Sequence, residues 1–307
     1  MRVSAGRPEV TFVVPTFRRP EGAFAAVGSV LAQQGAAVEV VVVDDAPEAS
    51  TRPQLEARFG GRGDVRVLAS GGLGVSGARN LGVRQARAPL VALLDDDDLA
   101  LPDRARLQRD ALAAAPQADL CVGDGILRAA QRRFSSLRGW RWAVDRAAVF
   151  AGAYAVPSTT CFRREALLAV PYAEDYRAFE DCELLLRFLG SGRKAVVLPE
   201  PVILYDDRRP AGDDERLSTK RALMDAYMAR AIAEHWTPLS DAERRAMPLG
   251  PTLHRRLAAH AWRLGDRRAS RRHALAFWRA RPWRGTPWSL VLRTFLASPP
   301  APADPSS

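Results

Sequence analysis

Five apolar runs separated by segments of helical character set the strongest limit on how this chain can fold. They occupy residues 10–15, 38–43, 65–68, 90–94 and 119–122. The runs are continuous rather than alternating, so each predicts a strand covered on both faces. After Pro20, the residues Phe24, Val27, Val30 and Leu31 recur at helical spacing, and a helix is expected over 20–34. Leu55 and Phe59 mark a looser helical stretch. A glycine-rich loop at 71–77 leads into a helix over about 78–86, and Pro102 opens another that runs to about residue 115. Such a βαβ series predicts an α/β, Rossmann-like fold: a mostly parallel mixed sheet with helices on both faces. Ligands of such sheets gather at the carboxyl ends of the strands.

With 307 residues, 47% of them apolar, the chain suffices for one large domain or two modest ones. No apolar run reaches the roughly 20 residues that span a bilayer. The polar N-terminus predicts no secretory signal, and a cytoplasmic protein is expected. Cys121, Cys161 and Cys182 are far apart and odd in number. They suit a reducing compartment and suggest neither a disulfide framework nor a zinc site. His235, His254, His260 and His273 lack the i, i+4 spacing of a helical metal pair and read as surface or packing residues.

Beyond the fifth run, 125–160 reads as an irregular acceptor-side segment, with Trp140, Trp142, Tyr154 and Pro157 among Arg and small residues. Order is expected again at 158–163, in helices over 164–169 and 178–189, and in strand-like pieces at 195–198 and 202–205. A charged loop over 206–218 precedes helices at 217–236, 251–264 and 267–280, the last two forming a helical hairpin across Gly265-Asp266. The division expected is a catalytic domain over 1–215, a basic helical C-terminal extension over 216–297 and a disordered Pro- and Ser-rich tail over 298–307.

Two acidic clusters, Asp44-Asp45 and Asp95-Asp96-Asp97-Asp98, each follow a predicted strand. Four consecutive carboxylates at the end of a buried strand repel one another. A divalent metal, Mg²⁺ or Mn²⁺, resolves that conflict by bridging one or two carboxylates to substrate phosphates. The plainer readings are an exposed charge run ahead of the Pro102 helix and, for Asp44-Asp45, a helix N-cap. Gly72, Gly74 and Gly77 also spell G-x-G-x-x-G, with Asp95 eighteen residues further on. That is the pattern of a dinucleotide fingerprint, so a nicotinamide-dependent oxidoreductase is the alternative enzyme. Against it, the motif follows the third strand instead of opening the fold, and the acid is one of four.

An ordered series of segments resembles glycosyltransferase family 2. It comprises Val14-Pro15-Thr16-Phe17-Arg18-Arg19-Pro20, Ser29-Val30-Leu31-Ala32-Gln33, Val41-Val42-Val43-Asp44-Asp45, Gly77-Ala78-Arg79-Asn80-Leu81-Gly82 and Leu94-Asp95-Asp96-Asp97-Asp98. Phe179-Glu180-Asp181, Leu198-Pro199-Glu200-Pro201 and Tyr205 continue it, so that about residues 9–215 are covered. The resemblance implies a GT-A fold and inverting transfer from a nucleotide diphosphate sugar. It also implies roles. Pro15 and Thr16 would line the nucleotide pocket, and Asp45 or its neighbour Asp44 would hydrogen-bond the base. The D-x-D motif would fall on Asp95-Asp96-Asp97, with Asp97 at the metal and Asp95 or Asp96 near the ribose; with four Asp in a row, its register is open by one. Asp95 is a second candidate metal ligand. Arg79 would help the pocket or simply pack in its helix. Asp181 matches the family's catalytic base, with Glu180 orienting its neighbours. The chain departs from the family's Y-x-x-H-like segment, for it reads Tyr205-Asp206-Asp207-Arg208-Arg209. Arg208 or Arg209 would then contact the diphosphate, since a guanidinium suits phosphate oxygens. A degenerate, non-catalytic scaffold of this fold would be expected to lack these carboxylates.

From residue 251 onward the chain holds eleven Arg against two Asp, so the formal +10 lies almost wholly in the C-terminal fifth. Trp262, Trp278, Trp283 and Trp288 stand among those Arg residues. One reading is a peripheral contact on the cytoplasmic face of a membrane, with Arg at anionic head groups and Trp at the interface. The other is a hairpin that packs through its apolar side and keeps a solvated Arg face. No recognition motif accompanies the charge, so nucleic acid is not an expected partner.

Overall fold

Val10, Phe12 and Val14 face one way and Val41 and Val43 the other, and this alternation organises the first half of the chain. The computed structural model describes residues 7–48, 50–134, 145–207 and 221–280. In it β1 (Val10–Thr16) is followed by α1 (Pro20–Leu31), β2 (Val38–Asp44), α2 (Arg52–Phe59), β3 (Val65–Ala69), α3 (Gly74–Gln85) and β4 (Leu90–Leu93). The four strands pair in parallel in the order β3-β2-β1-β4. Val10, Phe12, Val14, Val40 and Val42 pack with Ala23, Ala26, Val27 and Val30 of α1. Val41 and Val43 pack with Ala78 of α3. A strand's period of two therefore places helices on both faces. Gly82 permits the close contact of α3, because a Cβ there would meet Val13 Cγ1 at 2.3 Å.

The second half adds antiparallel pairs. β5 (Leu99–Ala100), α4 (Arg104–Ala114), β6 (Leu120–Leu127), β7 (Arg132–Phe134), α5 (Arg146–Phe150), β8 (Thr160–Arg163), α6 (Arg164–Ala169), α7 (Glu180–Gly190) and β9 (Ala195–Tyr205) follow in chain order. The sheet runs β3-β2-β1-β4-β8-β6-β9-β5, with β7 against β6. β8 is antiparallel to both β4 and β6, which makes the sheet mixed. The two strand pieces expected at 195–198 and 202–205 are one strand. Its register against β6 shifts near Pro201, where a proline without an N–H is tolerated. Trp140 and Trp142 lie outside the described residues, as do Arg208, Arg209, Trp283, Trp288 and the rest of 281–307.

The chain divides into two units, residues 1–145 with 154–211 and residues 146–153 with 212–307. Within the second, α8 (Arg221–His235), α9 (Asp241–Ala246), α10 (Pro251–Arg263) and α11 (Arg267–Ala280) follow one another. A capping box of Ser240 and Glu243 opens α9, a short helix that sequence periodicity did not announce. The hairpin of α10 and α11 turns at Gly265, whose φ of +76° favours glycine. It buries Leu253, Leu257, Ala258, Ala274 and Phe277. Asp225 of α8 accepts from Arg256 and Arg263, each at 2.6 Å. Among the described residues no helix is long and apolar enough to cross a membrane.

Candidate active site

The carboxyl ends of β1, β2 and β4 bring the sequence-predicted acids together, and neighbouring acids have different work. Asp44 accepts from Ser50 Oγ at 2.6 Å and from the backbone N–H groups of Thr51, Arg52 and Ala46 at 2.7, 3.0 and 3.1 Å. It is fully buried, and its oxygens are turned to the start of α2, whose unpaired N–H groups favour a carboxylate. Asp45 faces the glycine-rich loop, where it accepts from Ser70 Oγ and, at 3.0 Å, from Gly74 N–H. A dinucleotide phosphate would need that same helix start, yet here the chain's own carboxylate takes a backbone donor. Gly77 lies inside α3, packed against Leu73. The G-x-G-x-x-G spacing thus serves a turn held by Asp45, an arrangement that disfavours a dinucleotide phosphate at this helix start.

The four aspartates after β4 also separate by burial. Asp98 is buried and accepts from Asp206 N–H at 3.0 Å. Burial, then Asp97 and Asp95, push its carboxyl well above the usual range. Asp96 is buried too; it accepts from Thr16 Oγ at 2.8 Å and from Arg19 at 2.9 Å. Burial pushes its pKa up to about 7 despite those donors. The side chains of Asp95 and Asp97 are 28% and 23% exposed. Asp97 meets Arg19 at 3.3 Å, and the backbone N–H of Asp95 donates to Ser158 Oγ at 2.9 Å. Pro15 and Thr16 end β1 beside this cluster, in register with Val43 and Asp44. Among the described residues no three acidic, His or Cys side chains form a ready-made cation cage. The hard, partly open oxygens of Asp95 and Asp97 nevertheless fit an ion that takes one or two carboxylates and fills its shell with water and phosphate.

The third acidic group comes from the distant start of α7. Phe179 has a φ of +63°, a left-handed conformation that a buried non-glycine residue adopts only when its surroundings dictate it. This turn presents Glu180 and Asp181 in the first turn of α7. Asp181 accepts from Cys182 N–H at 2.7 Å. Burial first, then the Glu180 charge, raise the Asp181 pKa. Arg79 joins this group to the strand ends. Its buried guanidinium donates to Asp95 at 2.7 Å and to Glu180 at 3.0 Å, and lies over the Tyr172 ring at 5.2 Å. Asn80 beside it donates to Tyr172 O at 2.9 Å and accepts from Tyr172 N–H at 2.9 Å, pinning the approach to α7.

Sequence reading left four contributors without a role: Arg19, Asn80, Tyr172 and Ser158. Arg19 and Asn80 stand inside the family-like segments, so their motifs were the available signal. Tyr172 and Ser158 carried none; their partners lie 92 and 63 residues away in sequence.

The glycosyl transferase family 2 model matches residues 11–167. Over 100 residues the chain is 43% identical to the succinoglycan biosynthesis protein ExoO of Rhizobium meliloti (strain 1021), a match that spans 32% of this chain and 28% of that relative. Among solved structures, the mannosyltransferase PcManGT of Pyrobaculum calidifontis in complex with GDP-Man and Mn²⁺ superposes with a TM-score of 0.58 at 20% identity, covering 94% of this chain and 80% of the other. S. aureus TarS 1-349 in complex with UDP gives a TM-score of 0.57 at 15% identity, covering 93% and 90%. At these identities the structures establish a shared fold.

Proposed function

The chain belongs to glycosyl transferase family 2 and is a glycosyltransferase of GT-A fold, and on that premise we propose that it transfers a sugar from a nucleotide diphosphate sugar to an acceptor hydroxyl with inversion at the anomeric carbon. The observation that carries this reading is the Arg79 bridge, which draws the strand-end acids and the Glu180-Asp181 pair to one place. Pro15 and Thr16 line the nucleotide pocket. Asp45 serves the base; Asp44 is fully buried with its oxygens on the start of α2, whereas Asp45 faces the glycine-rich loop through Ser70 and Gly74. Asp96 stands on the ribose side. Asp97 and Asp95 hold the divalent ion, and Arg208 or Arg209 adds a diphosphate contact. The donors named with the TarS and PcManGT structures support the donor class, and the Mn²⁺ of the latter supports the ion.

A bound Mg²⁺ or Mn²⁺ supplies charge stabilisation to the departing diphosphate. Asp181 takes the proton of the acceptor hydroxyl as its oxygen forms the bond to the anomeric carbon. The bond from that carbon to the phosphate oxygen breaks, and its electron pair leaves with the nucleoside diphosphate. A single displacement of this kind inverts the sugar carbon. Glu180, anchored by Arg79, fixes the first turn of α7 and so the position of Asp181. Acceptor candidates are a glycan, a lipid-linked chain or a natural product. The relative named for succinoglycan biosynthesis favours a glycan. The basic hairpin supports a peripheral contact with the cytoplasmic face of a membrane, because α11 exposes Arg267, Arg268, Arg271, Arg272 and Trp278.

A panel of nucleotide sugars with Mg²⁺ or Mn²⁺, scored by thermal shift and by slow donor hydrolysis, tests the proposal. A matching donor stabilises the native state by mass action and should do so only with the ion. Equal shifts with the ion and with excess chelator, or a shift with NAD alone, would count against it.

A further inference from the structure

Arg19 touches two of the four strand-end acids. Its guanidinium donates to Asp96 at 2.9 Å and to Asp97 at 3.3 Å, while its own side chain remains 40% exposed. The backbone brings it there by an unusual route. Arg18 has a φ of +55°, a conformation L-residues avoid, and the guanidinium of Arg18 lies over the neighbouring Phe17 ring at 5.0 Å. Arg19 then stands immediately before α1. The first turn of α1 presses on the acid cluster, since a Cβ at Gly22 would meet the Asp96 carbonyl oxygen at 2.5 Å. Gly22 and the turn at Arg18 together bring the backbone of Arg19 beside the carboxylates and leave its side chain partly exposed.

Resting on the reading of Asp95 and Asp97 as the cation site, we propose that Arg19 is a built-in counter-cation that occupies Asp96 and Asp97 in the ion-free protein, yields Asp97 to the divalent ion when donor loads, and then serves the donor diphosphate. A guanidinium and a divalent ion want the same carboxylate oxygens and repel one another. Arg19 meets Asp97 through Oδ2 at 3.3 Å, so an ion on that oxygen would repel the guanidinium, and the partly exposed Arg19 is the partner with room to withdraw. Asp96 stays held by Thr16 after the exchange. The displaced guanidinium remains at the mouth of the site, where its planar fork suits phosphate oxygens.

The exchange predicts opposite changes in two affinities, which loss of packing alone does not produce. Mn²⁺ binding to the full chain is measured first alone, by titration calorimetry or by the spin-resonance signal of free Mn²⁺. UDP and GDP are then titrated at saturating Mn²⁺. Arg19→Gln should bind Mn²⁺ alone about tenfold more tightly, because a competing charge is gone. The same variant should bind the preferred nucleoside diphosphate about tenfold more weakly, having lost a charge-assisted contact. Arg19→Lys, which keeps the charge without the fork, should fall between wild type and Arg19→Gln in both. Chelator-treated unfolding curves establish that each variant is folded. Unchanged or weaker Mn²⁺ binding in a folded Arg19→Gln, with wild type binding normally, overturns the counter-cation role. Unchanged diphosphate affinity overturns the second step. A wild type that binds no Mn²⁺ with or without UDP or GDP overturns the cation reading beneath both.

Discussion

Arg79 and Asp95 stand 16 residues apart in sequence, and their side chains meet at 2.7 Å with the guanidinium buried. The other arm of Arg79 reaches Glu180, 101 residues from it in sequence. One side chain thereby ties the end of β4 to the start of α7, the two places from which the proposed donor-side and acceptor-side carboxylates arise. Opposite charges and burial act on Arg79 in opposite senses, and the net result holds it firmly protonated.

Replacing this cation leaves Asp95 and Glu180 without their partner in a poorly solvated place. Arg79→Met is expected to lower unfolding stability by about 2–4 kcal/mol, below the fully buried extreme because Asp95 remains partly exposed. Arg79→Lys should lose less. Urea unfolding in the presence of chelator measures both, and equal stability in all three proteins would show that the bridge contributes nothing net.

Asp181 and Asp97 should fail in different ways. Asp181→Asn removes the proposed proton acceptor and is expected to cut turnover by about 10²–10⁴-fold while donor and metal affinity stay close to normal. Asp97→Asn should weaken ion-dependent donor binding and turnover together. Near-normal turnover of a folded Asp181→Asn with its true acceptor would move the base assignment to Glu180 or another carboxylate.

The raised pKa of Asp181 gives the proposed base a distinctive expected pH profile. The base works only when ionised, so turnover rises with pH as the proton leaves. With burial raising that pKa to about 7, the ascending limb is expected near neutrality and not near pH 4. A rate independent of pH from 5 to 8 would contradict a base in this environment.

His254 and His273 couple α10 to α11 through Nδ1 atoms 3.0 Å apart. Burial, then His254 and Arg272, push His273 down to about 4 from 6.5, and burial lowers His254 as well. A depressed folded-state pKa contributes stability above the unfolded value and loses it as pH falls. The hairpin should therefore weaken between about pH 6.5 and 4, by roughly 1–2 kcal/mol after allowing for partial exposure. His273→Gln should flatten that slope in urea unfolding measured at pH 7 and pH 5. An unchanged slope would show that other groups cause the acid sensitivity.

A membrane contact through α11 is electrostatic in the first instance. Charge reversal at Arg267, Arg268 and Arg272 should shift the full chain from the pellet to the supernatant of an anionic-vesicle sedimentation assay. Salt should do so in part, because it screens surface attraction. If the wild-type chain never sediments with such vesicles, the hairpin's packing role is the one that stands.

Local physics wrote most of the architecture into the sequence. Continuous β-branched runs admit little but buried strands, and the helical segments between them dictate parallel crossovers on both faces. The strand-end position of Asp44, Asp45 and Asp95–Asp98 was legible for the same reason, as was a carboxylate pair at the start of a helix. What the sequence left open depended on partners brought close only by folding. Asp44 and Asp45 look alike as letters, but one caps α2 and the other holds the loop before α3. The four consecutive aspartates became distinct only when burial closed over Asp96 and Asp98 and left Asp95 and Asp97 partly open. The short strand β5 and the continuity of β9 were hidden because two residues, or a strand broken by prolines, carry too little periodicity to read. The Arg79 bridge, the Ser158 contact and the grip of Arg19 on Asp96 were equally beyond local pattern. Each joins groups far apart in the chain, and side-chain charge pairs over such separations are set by tertiary packing rather than by neighbouring residues.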